Sequence, residues 1–257
     1  MTPDAPIDVR RRGAGPTALL VHGAAADGRT WTLAAGALAG DLTTLAYDRR
    51  VAAGLTTEAH ADDAVAILRR ELAPGARALV AGSSFGAVVS LEIAARAPEL
   101  VAGLVLGEPP LPAGPHVPSA PFGFGCAFDR LVATAGGPAA AELFLRSVLG
   151  DTAWGAVPPF MRAQLCATWP QIRADMTSLA RYRVDPQHLC TVTAPALLLT
   201  GSRSPAFLEA GVELLAAVLP AARRDVVPGA GHAMHIEAPR AYAERVRRFA
   251  RDIGHLG

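Results

Sequence analysis

The sequence contains no lysine, and all 24 basic residues of its 257 are arginines. These arginines are scattered rather than arranged in a stripe, and the formal net charge is +1, so we expect no nucleic-acid partner. The chain also lacks an apolar run longer than a strand, which argues against a membrane span. Its N-terminus, MTPDAPIDVRRRG, has no apolar segment after its charges, so we expect no secretory signal and a cytoplasmic protein.

Cysteine is scarce. The three cysteines, Cys126, Cys166 and Cys190, lie far apart, and their odd number does not fit a disulfide or zinc framework. We expect them to be reduced, buried and inert. No cluster of histidine, cysteine and aspartate has the spacing of metal ligands, and no phosphate-binding loop is present, so neither a metal nor a cofactor is expected.

Short apolar runs alternate with helix-length segments along most of the chain. The strand-like runs are TALLVHG, LTTLAYD, RALVAG, VAGLVLG, PALLLTG and RRDVVPG. Runs that are apolar throughout indicate strands covered on both faces, and helices between them indicate parallel pairing. We therefore predict an α/β fold with a mainly parallel sheet and helices on both faces. The segment IDVRR near the start is predicted to be an antiparallel edge strand.

The alternation fails between residues 111 and 190. This stretch begins with many prolines and glycines and holds five of the eight phenylalanines and two of the three tryptophans. We predict a helical cap over 111–190, inserted into a core domain formed by 1–110 and 191–257. Most of its aromatic residues are expected to form the core of the cap, and a few are expected to line a pocket below it.

A Gly-x-Ser-x-Gly motif, Gly82 to Gly86, joins the predicted strand RALVAG to the helix that follows. Such a turn needs glycine on both sides, because a Cβ there would collide with neighbouring backbone. The central serine is forced into a strained conformation with its oxygen clear of the sheet. The motif therefore selects Ser84 as the nucleophile and leaves Ser83 in a variable position.

Two further segments are expected at the same edge of the sheet. His232 follows the last predicted strand and precedes the final helix, which favours it over His235 as the base. The backbone N–H groups of Ala24 and Phe85 are candidates for an oxyanion hole. His22 is expected to hold its loop in shape rather than transfer protons.

Together these motifs resemble the α/β-hydrolase superfamily, and most of all its compact, cap-bearing bacterial esterases. The resemblance covers nearly the whole chain through VHG, YDRR, GSSFGA, PALLLTG, PGAGH and the closing helix, in the family's order. It implies a serine hydrolase in which Ser84 attacks and His232 acts as the base. The chain departs from the family pattern at YDRRVAAG, where the family usually has YDRRGxG.

The acid of the triad is missing from its usual place. The resemblance puts an aspartate in the loop after PALLLTG, but this loop reads GSRSPAF, and Ser204 stands where the aspartate is expected. One explanation is that Glu108, at the end of the strand VAGLVLG, supplies the carboxylate, as in some superfamily members. The other explanation is a lapsed triad.

The resulting function hypothesis is cleavage of an ester or thioester of a mostly apolar small molecule through an acyl-enzyme, with Ser84, His232 and Glu108 as the triad. The alternatives are a homologue acting on C–C bonds as a hydrolase, lyase or cyclase, or a catalytically lapsed small-molecule-binding homologue. The substrate is the partner we expect, and the sequence leaves a monomer and a homodimer open.

Overall fold

The computed structural model describes residues 7–111, 126–182 and 189–257. Its seven strands form one sheet in the order β1-β3-β2-β4-β5-β6-β7. The strands are β1 Val9–Arg12, β2 Thr17–Val21, β3 Thr43–Tyr47, β4 Ala78–Ser83, β5 Val101–Gly107, β6 Ala196–Gly201 and β7 Ala222–Val227.

All pairings in the sheet are parallel except the first, in which β1 runs antiparallel to β3 at one edge. This confirms the predicted fold class and the predicted edge strand. Parallel strands end at the same edge of the sheet, and ligands of such sheets bind beyond those ends. The loops after β2, β4, β5, β6 and β7 therefore meet on one side of the molecule.

Helices follow most strands. They are α1 Thr32–Leu38, α2 Thr57–Glu71, α3 Phe85–Arg96, α4 Cys126–Ala135, α5 Gly137–Leu149, α6 Asp151–Ala156, α7 Pro159–Ala167, α8 Trp169–Arg181, α9 Glu209–Val218, α10 Met234–Glu237 and α11 Pro239–Asp252. Short 3₁₀ turns occupy Gly28–Trp31, Pro98–Leu100 and Ala206–Leu208. No helix in the described ranges is long and apolar enough to span a membrane.

The central strands are buried on both faces, as their continuous apolar runs predict. Alternate residues of each strand join different cores: Leu19 and Val80 belong to one, and Leu20 and Leu79 to the other. Helices α2, α3 and α9 cover the first core, and α1 and α11 cover the second. Strand β7 differs, because it lies at the edge and most of its side chains are at least partly exposed.

Helices α4–α8 lie between β5 and β6, where the sequence predicts the cap, and we call them the inserted helices. Among their aromatic residues, Phe128 and Trp154 are buried, and Phe128 makes an edge contact with Phe144. Phe160 is 66% exposed. The predicted Phe122 and Phe124 lie outside the described residues.

The expectation that all three cysteines are buried is wrong. Cys166 is buried, but Cys126 and Cys190 are exposed, and all three are free thiols. Cys126 begins α4, next to the segment 112–125, and Cys190 lies close to the segment 183–188. The apolar character of cysteine alone does not predict whether it is buried, because cysteine is small enough to be tolerated at helix ends as well as in cores.

Candidate active site

Ser84 forms the turn between β4 and α3. Its backbone has φ 55° and ψ −124°, a conformation that residues with a Cβ rarely adopt. A Cβ on Gly82 would lie 2.2 Å from the Gly86 carbonyl oxygen, and a Cβ on Gly86 would lie 2.2 Å from that of Val21. Both glycines are therefore required for the chain to turn this tightly, as the motif predicts.

Backbone strain is concentrated at this edge of the sheet. The non-glycine residues with positive φ in the described ranges are Ala25, Ser84 and Glu108, and they follow the neighbouring strands β2, β4 and β5. Such conformations persist only where the surroundings hold them, and they cluster at functional sites.

Glu108 and His232 are in contact. Glu108 Oε2 lies 2.6 Å from His232 Nδ1, and Glu108 Oε1 accepts a hydrogen bond of 2.8 Å from the Gly201 N–H. Both carboxylate oxygens are thus occupied on a side chain with no solvent exposure. An ionised Glu108 requires the proton on Nδ1, which leaves Nε2 of His232 free to accept one.

Ser84 is partly buried at the same edge. Within the described ranges, no hydrogen bond joins Ser84 Oγ to His232. Such bonds between nucleophile and base are often long in free enzymes and tighten when substrate binds, so this geometry is compatible with a nucleophile and its base.

The loop after β2 lies against Ser84. A Cβ on Gly23 would lie 3.1 Å from Ser84 Cβ, so glycine permits the close approach. The backbone N–H groups of Ala24 and Phe85 donate no hydrogen bond to any residue that the structure describes. Both amides are therefore available to an oxygen bound beside Ser84.

His22 holds this loop in place, as the sequence predicts. Its Nε2 accepts the Arg49 N–H at 2.9 Å, so Nδ1 carries the proton and donates to the Gly23 carbonyl oxygen, also at 2.9 Å. Burial, together with the nearby Arg49 guanidinium, lowers the pKa of His22 to about 3. The ring is therefore neutral, with both of its nitrogens engaged by the backbone.

The structure adds a buried ion pair that the sequence did not reveal. Arg49, in the loop after β3, pairs with Asp175 of α8 through contacts of 3.0 and 2.8 Å. Asp175 stands 126 positions further along the chain, in the segment with the weakest pattern, so no spacing signal joins the two. The neighbouring Asp48 stabilises its own loop, because it binds Arg10 and the Gly28 N–H.

Ser204 does not replace the missing aspartate. Its Oγ is buried and has no hydrogen-bond partner among the residues that the structure describes. His235 lies away from solvent, stacked on Trp31 at 4.1 Å between ring centroids. Burial, with a smaller effect of His232, lowers the pKa of His235 to about 3, which suits a packing role.

Metal ligation has no support in the described ranges, where no three histidine, cysteine or acidic side chains are grouped to hold an ion. Asp151 lies on the surface of the inserted helices, paired with Arg146.

Comparison with known proteins agrees with the fold. The uncharacterized hydrolase YraK of Bacillus subtilis (strain 168) is 37% identical over 116 residues, which is 42% of this chain and 42% of that protein's own length. A thermophilic esterase from Thermogutta terrifontis matches with a TM-score of 0.78 at 22% identity, over 96% of this chain and 93% of that one. The carboxylesterase CesB (YbfK) of Bacillus subtilis matches with a TM-score of 0.71 at 22% identity, over 94% and 86%.

The family comparison covers more of the chain than the relative does. The model of the alpha/beta hydrolase family matches residues 18–245, which include the ends of all the parallel strands and the segments around Ser84, Glu108 and His232. The chain therefore belongs to the alpha/beta hydrolase family.

Proposed function

We propose that this chain is a serine hydrolase that cleaves an ester or thioester through an acyl-enzyme. The observation that carries the proposal is the contact of 2.6 Å between Glu108 and His232, at the edge of the sheet where Ser84 is held in a strained turn. A nucleophile beside a base, with the base oriented by a carboxylate, is the arrangement that serine hydrolysis needs.

In the proposed reaction, Ser84 Oγ attacks the carbonyl carbon of the substrate while His232 Nε2 takes the hydroxyl proton. The N–H groups of Ala24 and Phe85 stabilise the oxyanion that forms, since neither is occupied by a described residue. His232 then gives its proton to the leaving alcohol or thiol. A water activated by His232 releases the acid and restores Ser84.

Glu108 carries out the part that an aspartate usually has. It fixes the Nδ1–H tautomer of His232 and offsets the charge of the imidazolium that forms. Its second oxygen is held by the Gly201 N–H, at the end of β6, so the carboxylate is anchored to the strand from which the usual aspartate would come. This anchoring favours a working acid over a lapsed triad.

The proposed substrate is a mostly apolar small molecule. The aromatic residues of the predicted cap suggested an apolar substrate. Phe128 and Trp154 are buried within the inserted helices, so these two are not counted as pocket-lining residues. The esterases from Thermogutta terrifontis and Bacillus subtilis share the fold. A series of p-nitrophenyl esters from acetate to octanoate tests the apolar character, with kcat/KM expected to rise with chain length.

The Ser84→Ala variant tests the proposal. We expect wild-type protein to hydrolyse p-nitrophenyl butyrate with a burst of one p-nitrophenol per chain, since acylation precedes slower deacylation. Ser84→Ala should lose the burst and nearly all turnover. The matched control is Ser83→Ala, which removes the adjacent hydroxyl and should retain both. Equal rates in wild type and Ser84→Ala would refute Ser84 as the nucleophile.

A further inference from the structure

The Arg49 guanidinium contacts the loop after β2, which carries the candidate oxyanion donor Ala24. Its Nη2 donates to the Gly23 carbonyl oxygen at 3.0 Å, and its Nε donates to the His22 carbonyl oxygen at 3.1 Å. Its Cζ also lies 4.6 Å from the centroid of the Phe85 ring. One side chain, only 1% exposed, thus contacts the segments that carry both candidate oxyanion donors.

Fixing the Gly23 carbonyl also fixes the Ala24 amide. The two groups belong to one planar trans peptide, so the C=O and the N–H point in opposite directions. The Gly23 oxygen accepts hydrogen bonds from Arg49 and from His22, so both donors lie on the carbonyl side of this peptide, opposite the Ala24 N–H. Gly23 itself borders the nucleophile, since a Cβ on it would lie 3.1 Å from Ser84 Cβ, so the peptide that Arg49 fixes is next to Ser84.

The same contacts strengthen the Ala24 amide as a donor. Hydrogen bonds polarise one another in chains, and a charged donor on a carbonyl draws electron density from the attached N–H. A guanidinium hydrogen-bonded to the Gly23 oxygen therefore makes the Ala24 N–H a stronger donor to a negatively charged oxygen beside it. The effect is greatest when charge develops there, which is the condition for lowering a reaction barrier.

Arg49 is held in turn by the inserted helices. Asp175 of α8 accepts hydrogen bonds from both Nη atoms of Arg49, and its side chain is 4% exposed. Polar residues at helical spacing seat α8 on the core domain, through the pairs Gln171–Ala26, Asp175–Arg49, Ser178–Thr57 and Tyr182–Glu92. Of these pairs, only Asp175–Arg49 joins α8 to a side chain that contacts the Gly23 carbonyl.

We propose that Arg49 and Asp175 are positioning residues for the oxyanion hole: Asp175 of the inserted helices fixes the Arg49 guanidinium, which sets and polarises the Gly23–Ala24 peptide. The inference rests on the proposed function. It makes the Asp175–Arg49 contact, unlike the other contacts of α8, a condition for transition-state stabilisation.

The test separates positioning from stability by removing both charges. The single variants Arg49→Met and Asp175→Leu each leave an unpaired buried charge and should lower both Tm and kcat. In the double variant both charges are gone, and apolar replacement of a buried ion pair is often neutral for stability. The hydrogen bonds of Arg49 to the His22 and Gly23 carbonyls are still lost. We therefore expect Tm to rise above that of either single variant, while kcat stays about tenfold to a hundredfold low, with KM changed less than about twofold.

Ser178→Ala is the matched control. It removes another buried hydrogen bond between α8 and the core domain, to Thr57, without touching Arg49. Its kcat should remain within about twofold of wild type. Recovery of both Tm and kcat in the double variant would overturn the inference, because the ion pair would then serve stability alone. If the double variant does not fold, Arg49→Lys replaces it, since lysine keeps the charge but its three donors cannot bond both Asp175 oxygens and the two carbonyls at once.

A measurement without turnover separates this inference from the proposed function. Hydrogen–deuterium exchange of a peptide covering residues 22–26 should accelerate in the double variant and stay unchanged in Ser178→Ala. If wild-type protein hydrolyses no ester, the proposed function fails and exchange alone decides. Faster exchange confined to this peptide supports positioning by Arg49 and Asp175, and unchanged exchange overturns it.

Discussion

At the scale of single residues, the backbones of Ala25, Ser84 and Glu108 adopt a positive φ, which is normally restricted to glycine. Each has a Cβ and a positive φ, with φ values of 54°, 55° and 44°. Such conformations cost on the order of 1–3 kcal/mol each and are retained where the fold over-determines them. Their grouping at the ends of three neighbouring strands indicates that stability is lost there in favour of a fixed geometry.

Glu108→Gln tests the proposed role of Glu108 as the acid. Glutamine has nearly the same shape, and it can still accept the Gly201 N–H, but it has no charge to offset a protonated His232. We expect kcat for p-nitrophenyl butyrate to fall at least about tenfold, because the carboxylate both orients the base and stabilises its charged form.

The control for this prediction is Ser204→Ala, at the position where the family's aspartate is expected. Its hydroxyl has no hydrogen-bond partner among the described residues, so kcat should change less than about twofold. A large loss of kcat in Ser204→Ala with little loss in Glu108→Gln would show that the acid role is not carried by Glu108.

The sequence predicts the position of a residue best where a strand end carries the signal. Ser84, His232 and Glu108 each follow a strand that its apolar run identifies, so their meeting at one edge follows from the parallel sheet. The contact of Glu108 with His232 was expected, and its catalytic role remains a prediction. Asp175 gave no such signal, because its pairing with Arg49 depends on how α8 packs across the loop after β3.

At the scale of elements, the turn from β4 into α3 depends on how closely α3 approaches β2. A Cβ on Gly86 would lie 2.2 and 2.6 Å from the carbonyl oxygens of Val21 and His22, which are backbone atoms and cannot rotate away. The start of α3 is thus pressed against the end of β2, and this contact places Phe85 beside the loop after β2.

Gly86→Ala should therefore separate α3 from β2. We expect the free energy of unfolding to fall by about 1–3 kcal/mol, the usual range for overpacking, and hydrolysis to fall with it. The matched control is Gly40→Ala, an exposed glycine with no atom within 4 Å of an added Cβ, which should change stability by less than about 0.5 kcal/mol. Urea denaturation measures both, and equal stabilities would contradict the close approach of α3 to β2.

The strands and helices were easiest to predict where the sequence has a clear hydrophobic pattern. Continuous apolar runs identified the strands, and alternation with helices identified the parallel sheet. The inserted helices α4–α8 were predicted only as a helical segment, because their packing is local and their faces carry both aromatic and charged residues. The boundaries 111–190 for a cap remain a prediction.

At the scale of the whole molecule, three buried histidines connect stability with pH. His22, His60 and His235 each have a pKa lowered from 6.5 to about 3, first of all by burial. The unfolded chain binds a proton at each site near pH 6.5, whereas the folded chain does so only near pH 3. The unfolded state therefore holds more protons between these values, and stability falls as the pH is lowered through this window.

His235→Phe tests this linkage at one site. Phenylalanine keeps an aromatic ring against Trp31 but does not titrate. Between pH 6 and 4.5, the slope of the unfolding free energy against pH should become shallower by about 1.4 kcal/mol per pH unit, the value for one proton. Urea denaturation at several pH values gives the slope. A slope equal to that of wild type would show that His235 takes up its proton in the folded state.

The central claim is that Ser84 is an activated nucleophile, and labelling by a fluorophosphonate tests it most directly, because the probe reports a reactive serine whatever the natural substrate. Mass spectrometry of the labelled protein should place one adduct on the peptide containing Ser84. The adduct should disappear in Ser84→Ala and persist in Ser83→Ala. Absence of labelling in wild-type protein, or labelling that survives Ser84→Ala, would contradict the account.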